Sequence, residues 1–203
     1  AAAGAAEIVL RLQGKVTNPR KWSAETPHLY KVLLTLTDGE GKLIDVRCSR
    51  FGFRRVEIKE SRLYINGKSI KLRGVNRHEF HPLHGHAVPL DITEADIKLL
   101  KANNINAVRT SHYPNHPGFY ELCDRYGIYV MDEADLETHG LRRRVPRSDP
   151  RWTEACVDRM VRMVERDKNH PCVFSWSLGN EAGCGDNFYQ MKQAAQRIDR
   201  TRP

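Results

Sequence analysis

The sequence has no long apolar run. Its most continuous stretches, such as Ile128 to Met131, fall far short of the ~20 residues that a bilayer span needs, so no transmembrane helix is expected. The start, AAAGAAEIVL, has no basic segment ahead of an apolar one and does not read as a signal peptide; it opens on Ala1 rather than methionine and does not look like a natural start. No C-x-x-C pair occurs among the five cysteines, Cys48, Cys123, Cys156, Cys172 and Cys184. Their odd number and wide spacing argue against a disulfide framework and a zinc ribbon, and for reduced thiols in the cytoplasm. A phosphate-binding glycine fingerprint is also missing, since GVNRHEF has none where an open doubly wound sheet would carry it.

What is present is a chain of 203 residues with 40% apolar composition, enough for one folded domain or one domain plus part of a neighbour. Lys and Arg number 33 against 25 Asp and Glu, a formal charge of +8. The excess is spread along the chain, and its one dense run, RRRVPR from Arg142 to Arg147, reads as a solvated loop. Aromatic residues, 8% of the total, fall mostly within the expected strands and helices rather than between basic residues, so nucleic acid is not an expected partner.

Two periodicities divide the chain. After His28, LYKVLLTLT, DGEGK and LIDVRCSRFGF read as two strands around a Gly-containing turn. EIVLRL, from Glu7 to Leu12, reads as another strand, and Asn18 to Tyr30 as a connection. Three strands do not make a stable sandwich, so residues 1–60 are expected to be the C-terminal part of an all-β, immunoglobulin-like domain whose beginning is absent.

Beyond about Arg62, short apolar strands alternate with helical patterns, the signature of an α/β fold with a parallel sheet. Ile70 to Val75 is the first expected strand. Thr93 and Asp96 resemble a capping pair opening a helix that buries Ile97, Leu100 and Ala102. Ala107 to Thr110 precedes a helix from Pro117 to Tyr126, with Pro in its first turn and Gly127 just past its last. Ile128 to Met131 precedes a helix opened by Asp149-Pro150, with Cys156, Met160 and Val164 at helical spacing. Val173 to Leu178 precedes a helix from about Asn187. A complete eightfold barrel takes ~250 residues, so residues 61–203 are expected to form the N-terminal half of a (β/α)8 TIM barrel. Trp176 and Met131 are expected inside it, and Trp152 on a helix face.

Ionisable and polar residues follow every one of these strands: Asn76 to Glu79, Ser111 to Tyr113, Asp132 to His139, and Gly179 to Glu181. Barrel enzymes assemble their active sites at that register. Glu181, in the small-residue loop GNEAGCG, suits a proton donor; the structural alternative is a carboxylate complementing a helix N-terminus. Glu137 and His139 alternate with Thr138, so in extended geometry they face one way, and Glu181 could complete a cation site. A hydrogen-bonded polar cluster explains the same spacing. The histidine-rich HPLHGH, holding His81, His84 and His86, is a Pro/Gly loop without the helical spacing that zinc sites use, and is not read as one.

With these motifs in place, the chain resembles glycoside hydrolase family 2, and within it the long bacterial β-galactosidases. The likeness is carried by NAVRTSHYPNHPGFYELCDRYGIYVMDE from Asn106 and DKNHPCVFSWSLGNE from Asp167, with RGVNRHEFHPLHG, DEADLETHG and NPRKWSAETPHLY. GNEAGCG and NRHEFHP separate it from the glucuronidase branch. The resemblance implies hydrolysis of terminal β-galactosides by a retaining mechanism, with two carboxylates ~5 to 5.5 Å apart. It implies that Glu181 is the acid/base, that His78, His112 and Asn180 contact the galactose, and that Glu137, His139 and Glu181 hold Mg2+. It also implies a sodium ion outside this chain, a homo-oligomeric parent, and a nucleophile beyond Pro203, so that the chain alone would be inactive. The alternatives are a β-glucuronidase or β-mannosidase of the same family, or a carbohydrate-binding module without turnover.

Overall fold

Parallel pairing of four short strands organises the larger part of the molecule. In the computed structural model, which describes residues 10–203, a two-stranded hairpin comes first: β1 (Tyr30–Thr37) pairs antiparallel with β2 (Leu43–Phe51). A three-stranded antiparallel meander follows, β3 (Val56–Lys59), β4 (Arg62–Ile65) and β5 (Lys68–Ser69). The remainder alternates β6 (Gly74–Arg77), α1 (Leu90–Ala102), β7 (Ala107–Thr110), α2 (Pro117–Tyr126), β8 (Tyr129–Glu133), α3 (Thr153–Asp167), β9 (Val173–Ser177) and α4 (Asp186–Ile198). The last four strands form one parallel sheet in sequence order, with helices between them. Consecutive parallel neighbours joined by crossover helices are the repeating unit of a barrel, and this chain holds a partial one.

Local signals explain the best-anticipated element. Helix α2 runs from Pro117 to Tyr126 as expected: Pro opens it, the His116 side chain accepts from the Gly118 N–H, and Gly127 closes it at φ 74°. A Cβ at Gly127 would also stand 2.2 Å from the Ala24 carbonyl oxygen, so the helix end lies directly against the N-terminal connection. That connection is more than a linker. Trp22 is fully buried, stacks edge-on against Tyr129 at 5.7 Å and donates its indole N–H to the Asp124 carbonyl at 2.9 Å.

Several expectations need correction. The strand expected over Glu7 to Leu12 begins outside the described residues, and its described part, residues 10–12, is not a strand. The strand expected at Ile70 to Val75 lies later, at Gly74–Arg77, because pairing of Gly74 with Ala107 and Arg77 with Thr110 sets its register. Ile70 instead donates its N–H to Leu63 in the meander. Thr93 and Asp96 do not cap α1: the helix starts earlier, after Pro89, Thr93 is buried inside it, and Asp96 accepts from Arg77. Ala102 is exposed rather than buried. Trp152, expected on a helix face, lies at the α3 N-terminus and is 45% exposed.

The core has two parts. Ile97, Val108, Phe119, Tyr120, Val130 and Val173 pack between the sheet and the first two helices; Met160, Val164 and Met191 pack under α3 and α4. Met131 packs against the first part and Trp176 against both, in keeping with their expected inward position. Each fully buried aliphatic side chain contributes roughly 1.5–3 kcal/mol. By contrast, the β1–β2 hairpin leaves Leu33, Leu36, Leu43 and Ile44 more than half exposed.

Candidate active site

All four parallel strands deliver polar side chains at their carboxyl ends. At the end of β6, the buried Arg77 bonds Asn115 at 2.9 Å and Asp96 at 2.9 Å, which anchors the turn into His78. The His78 ring meets the His112 ring edge-on, with centroids 5.2 Å apart. His112 follows β7, and its Nδ1 lies 2.6 Å from Oε1 of Glu133, the last residue of β8. Glu133 is fully buried; its Oε2 accepts from Arg109 Nε at 2.6 Å and from Ser177 Oγ, at the end of β9, also at 2.6 Å. Arg109 Nη2 then donates to Asn180 Oδ1 at 2.8 Å, and Asn180 Nδ2 donates to Glu137 Oε1 at 3.2 Å.

The chain beyond β9 is shaped to present Glu181. The Asn180 N–H donates to the Leu136 carbonyl at 2.9 Å, which ties this loop to the segment leaving β8. Gly179 has φ 134°, and a Cβ there would stand 2.4 Å from the same carbonyl oxygen, so only glycine fits. Glu181 itself sits at φ 42°, a strained conformation of the kind that concentrates at functional sites. Its carboxylate meets His139 Nδ1, and Arg142 Nη1 approaches it at 3.7 Å.

Glu137, His139 and Glu181 bring one donor atom each within 4.8 Å of one another, the one such group of three among the described residues. The expected reason for their meeting was wrong. The chain is not extended across them, because His139 begins a short 3-10 turn after Thr138 and that turn swings its ring toward Glu181. His81 and His84 stack on each other at 4.8 Å and belong to no such group.

The six residues singled out in the sequence therefore join one network, held together by Arg109, which sequence reasoning missed, and by Glu133, which it counted only among the polar residues at its strand's end. Arg109 sits between Val108 and Thr110 in AVRT, and Glu133 follows Asp132 in YVMDE; charged residues within short, largely buried strands were the available signal. Beside the network, burial raises the Tyr113 phenol above its ordinary pKa, so it remains a neutral hydrogen-bonding group; its hydroxyl lies 3.2 Å from His86 Nδ1. Carboxylates, imidazoles and fixed amide and guanidinium donors clustered at a barrel mouth suit proton transfer to a polyhydroxylated substrate.

Residues 56–203 match the family model described as glycosyl hydrolases family 2, TIM barrel domain. The chain belongs to this family. Residues 2–54 match a second family 2 model, described as glycosyl hydrolases family 2. Among curated relatives of this family 2 chain, a β-galactosidase of Psychromonas ingrahamii is 54% identical over 192 residues, and one of Alteromonas mediterranea is 52% identical over 191. Each comparison covers 93% of this chain and 18% of the relative, so the chain spans less than a fifth of their length. Among solved structures, a β-glucuronidase of Ruminococcus gnavus superposes with a TM-score of 0.82 at 31% identity, covering 93% of this chain and 33% of that one. A β-D-glucuronidase of Dictyoglomus thermophilum gives 0.77 at 28% identity, covering 93% and 34%.

Proposed function

We propose that this chain carries the acid/base half of a β-galactosidase active site, in an enzyme that removes terminal non-reducing β-D-galactose with retention. The observation that carries the reading is the meeting of Glu181 with Glu137 and His139 at the mouth of the partial barrel. Glu181 protonates the departing glycosidic oxygen and then takes a proton from the incoming water. His78, His112 and Asn180 hold sugar hydroxyls, through donors already fixed before substrate arrives. The second carboxylate of a retaining pair stands ~5 to 5.5 Å from the first and is assigned to the polypeptide outside this chain. The 203-residue chain by itself is accordingly expected to give no turnover.

The donor set fits a divalent cation: two carboxylates and an imidazole converge, with Asn180 Nδ2 donating to Glu137 and Arg142 approaching Glu181 at 3.7 Å. Glu137, His139 and Glu181 would hold Mg2+, which when bound supplies positive charge beside the acid/base carboxylate. A sodium ion, if used, binds outside this chain. The remaining partners are the rest of the parent polypeptide and further copies of it. The exposed apolar residues of the β1–β2 hairpin support the first of these. Five free cysteines support a cytoplasmic location, and no described helix is long and apolar enough to cross a membrane.

A β-glucuronide or β-mannoside specificity is the second reading, and the solved glucuronidases favour the former. The full-length polypeptide assayed on nitrophenyl β-galactoside, β-glucuronide and β-mannoside separates these. Preference for the galactoside, with Glu181→Gln lowering kcat by ~10²–10⁴-fold, is the expected result. Preference for another sugar overturns the galactosidase reading, and galactose binding without any turnover by the full-length polypeptide points to a binding module.

A further inference from the structure

Glu133 has no water-facing surface, yet its three side-chain neighbours all donate to it. Oε2 receives Arg109 and Ser177, and Oε1 receives His112, each at 2.6 Å. The Glu133 N–H is held in turn by Thr110 Oγ1 at 2.9 Å. An apolar side chain would fill this space without removing a charge from water, and buried charges are costly even when paired. What an apolar residue cannot do is receive donors from two neighbouring strands at once. A carboxylate can, because it offers about four acceptor positions and no donor.

From this geometry we infer that Glu133 is a positioning residue for sugar recognition, acting through His112 and Arg109. The inference rests on the glycosidase reading, since it takes the groups being positioned to be sugar contacts. By accepting a hydrogen bond from His112 Nδ1–H, Glu133 fixes the ring and leaves Nε2 as the nitrogen not engaged by the carboxylate. By holding Arg109 Nε, it aims Nη2 at Asn180, whose amide then has one defined orientation next to Glu181. The arrangement is the usual one for groups that must hold a ligand closely: the contacting residues are oriented by a buried partner behind them.

Glu133→Gln keeps the shape and breaks the logic. Its amide nitrogen is a donor: facing Arg109, which can only donate, it leaves a pair unmade, and facing His112 it makes Nδ1 the acceptor and forces the ring into its other tautomer. In the full-length enzyme, kcat/KM for nitrophenyl β-galactoside is expected to fall by ~10–100-fold. The informative readout is a panel of galactosides lacking one hydroxyl each. His112→Phe should erase the penalty for losing one particular hydroxyl, Glu133→Gln should reduce it at the same position, and Glu133→Gln should cost less in the His112→Phe background than in the unaltered enzyme, the remaining loss belonging to the Arg109–Asn180 arm. Equal losses at every position, or additive losses in the double variant, overturn the inference.

Ser177→Ala guards against a misfolded Glu133→Gln, because it removes one donor and leaves the Arg109 pair intact; a smaller loss with the same hydroxyl pattern supports positioning, and a flat pattern opposes it. A crystal structure of the Glu133→Gln enzyme separates this inference from the reading beneath it. An unmoved His112 ring and Arg109 guanidinium refute positioning. Displaced groups, together with a flat hydroxyl profile for His112→Phe, support positioning and refute the assignment of His112 to the sugar.

Discussion

Asp132 precedes Glu133 on β8 and points the other way, toward the helices. It is fully buried, and so is Asp167 at the end of α3. The Asp132 Oδ1 accepts from the Tyr120 hydroxyl at 2.6 Å and from Thr110 Oγ1 at 3.3 Å, while Oδ2 has no partner that a carboxylate could use. Burial, and after it the charge of Asp167, holds the Asp132 carboxyl well above the usual carboxylate range. A proton on Oδ2 supplies the missing bond, donated to Asp167, whose own oxygens are engaged by Arg166 at 2.8 and 2.7 Å. For an acid whose folded-state pKa is raised, the stabilisation is complete below the unfolded value of about 3.9 and is lost as pH rises toward the folded value. The loss amounts to about 1.4 kcal/mol per pH unit for one proton. Asp132→Asn keeps an acceptor for Tyr120 and Thr110 and presents a permanent donor to Asp167. Its stability advantage over the unaltered protein should therefore grow by about 1.4 kcal/mol per unit from about pH 4 upward, until the folded pKa is reached. Urea unfolding followed by tryptophan fluorescence at successive pH values measures it. Parallel curves, or a variant less stable throughout, would refute the protonated-pair account.

Gly179→Ala forces a Cβ to 2.4 Å from the Leu136 carbonyl at φ 134°, so it should lower stability by about 1–3 kcal/mol and lower activity through displacement of Asn180 and Glu181; a thermal melt and kcat/KM measured together check both. Chelation should abolish activity of the full-length enzyme and added Mg2+ should restore it. Glu137→Gln or His139→Ala should weaken Mg2+ affinity by at least ~10-fold in calorimetry, and unchanged affinity would remove these residues from the cation site.

Much of the fold was legible because its signals are local. Pro117 and Gly127 bracket α2 by their own backbone preferences, and Ala107 to Thr110 is apolar enough to be placed without its neighbours. The place of Glu181 in the loop after β9 was legible for a similar reason, since a run of small residues directly after a strand is a local signal. Misplaced features depended on distant chain. The extent of β6 follows from its ladder with β7, and Asp96, placed inside α1 by the helix's earlier start after Pro89, instead accepts from Arg77, 19 residues away.

The chain's own order determined the alternation of strand and helix, the polar residues at each strand end and the membership of Glu181 among them, because hydrophobic period and end signals act over a few residues. Tertiary structure alone decided that Glu133 should be a hub. Its partners Arg109, His112 and Ser177 lie 24, 21 and 44 positions away, and only strand pairing sets them around one carboxylate. The meeting of Glu137, His139 and Glu181 has the same origin: a 3-10 turn after one strand and a left-handed residue after the next bring together side chains that linear spacing leaves apart.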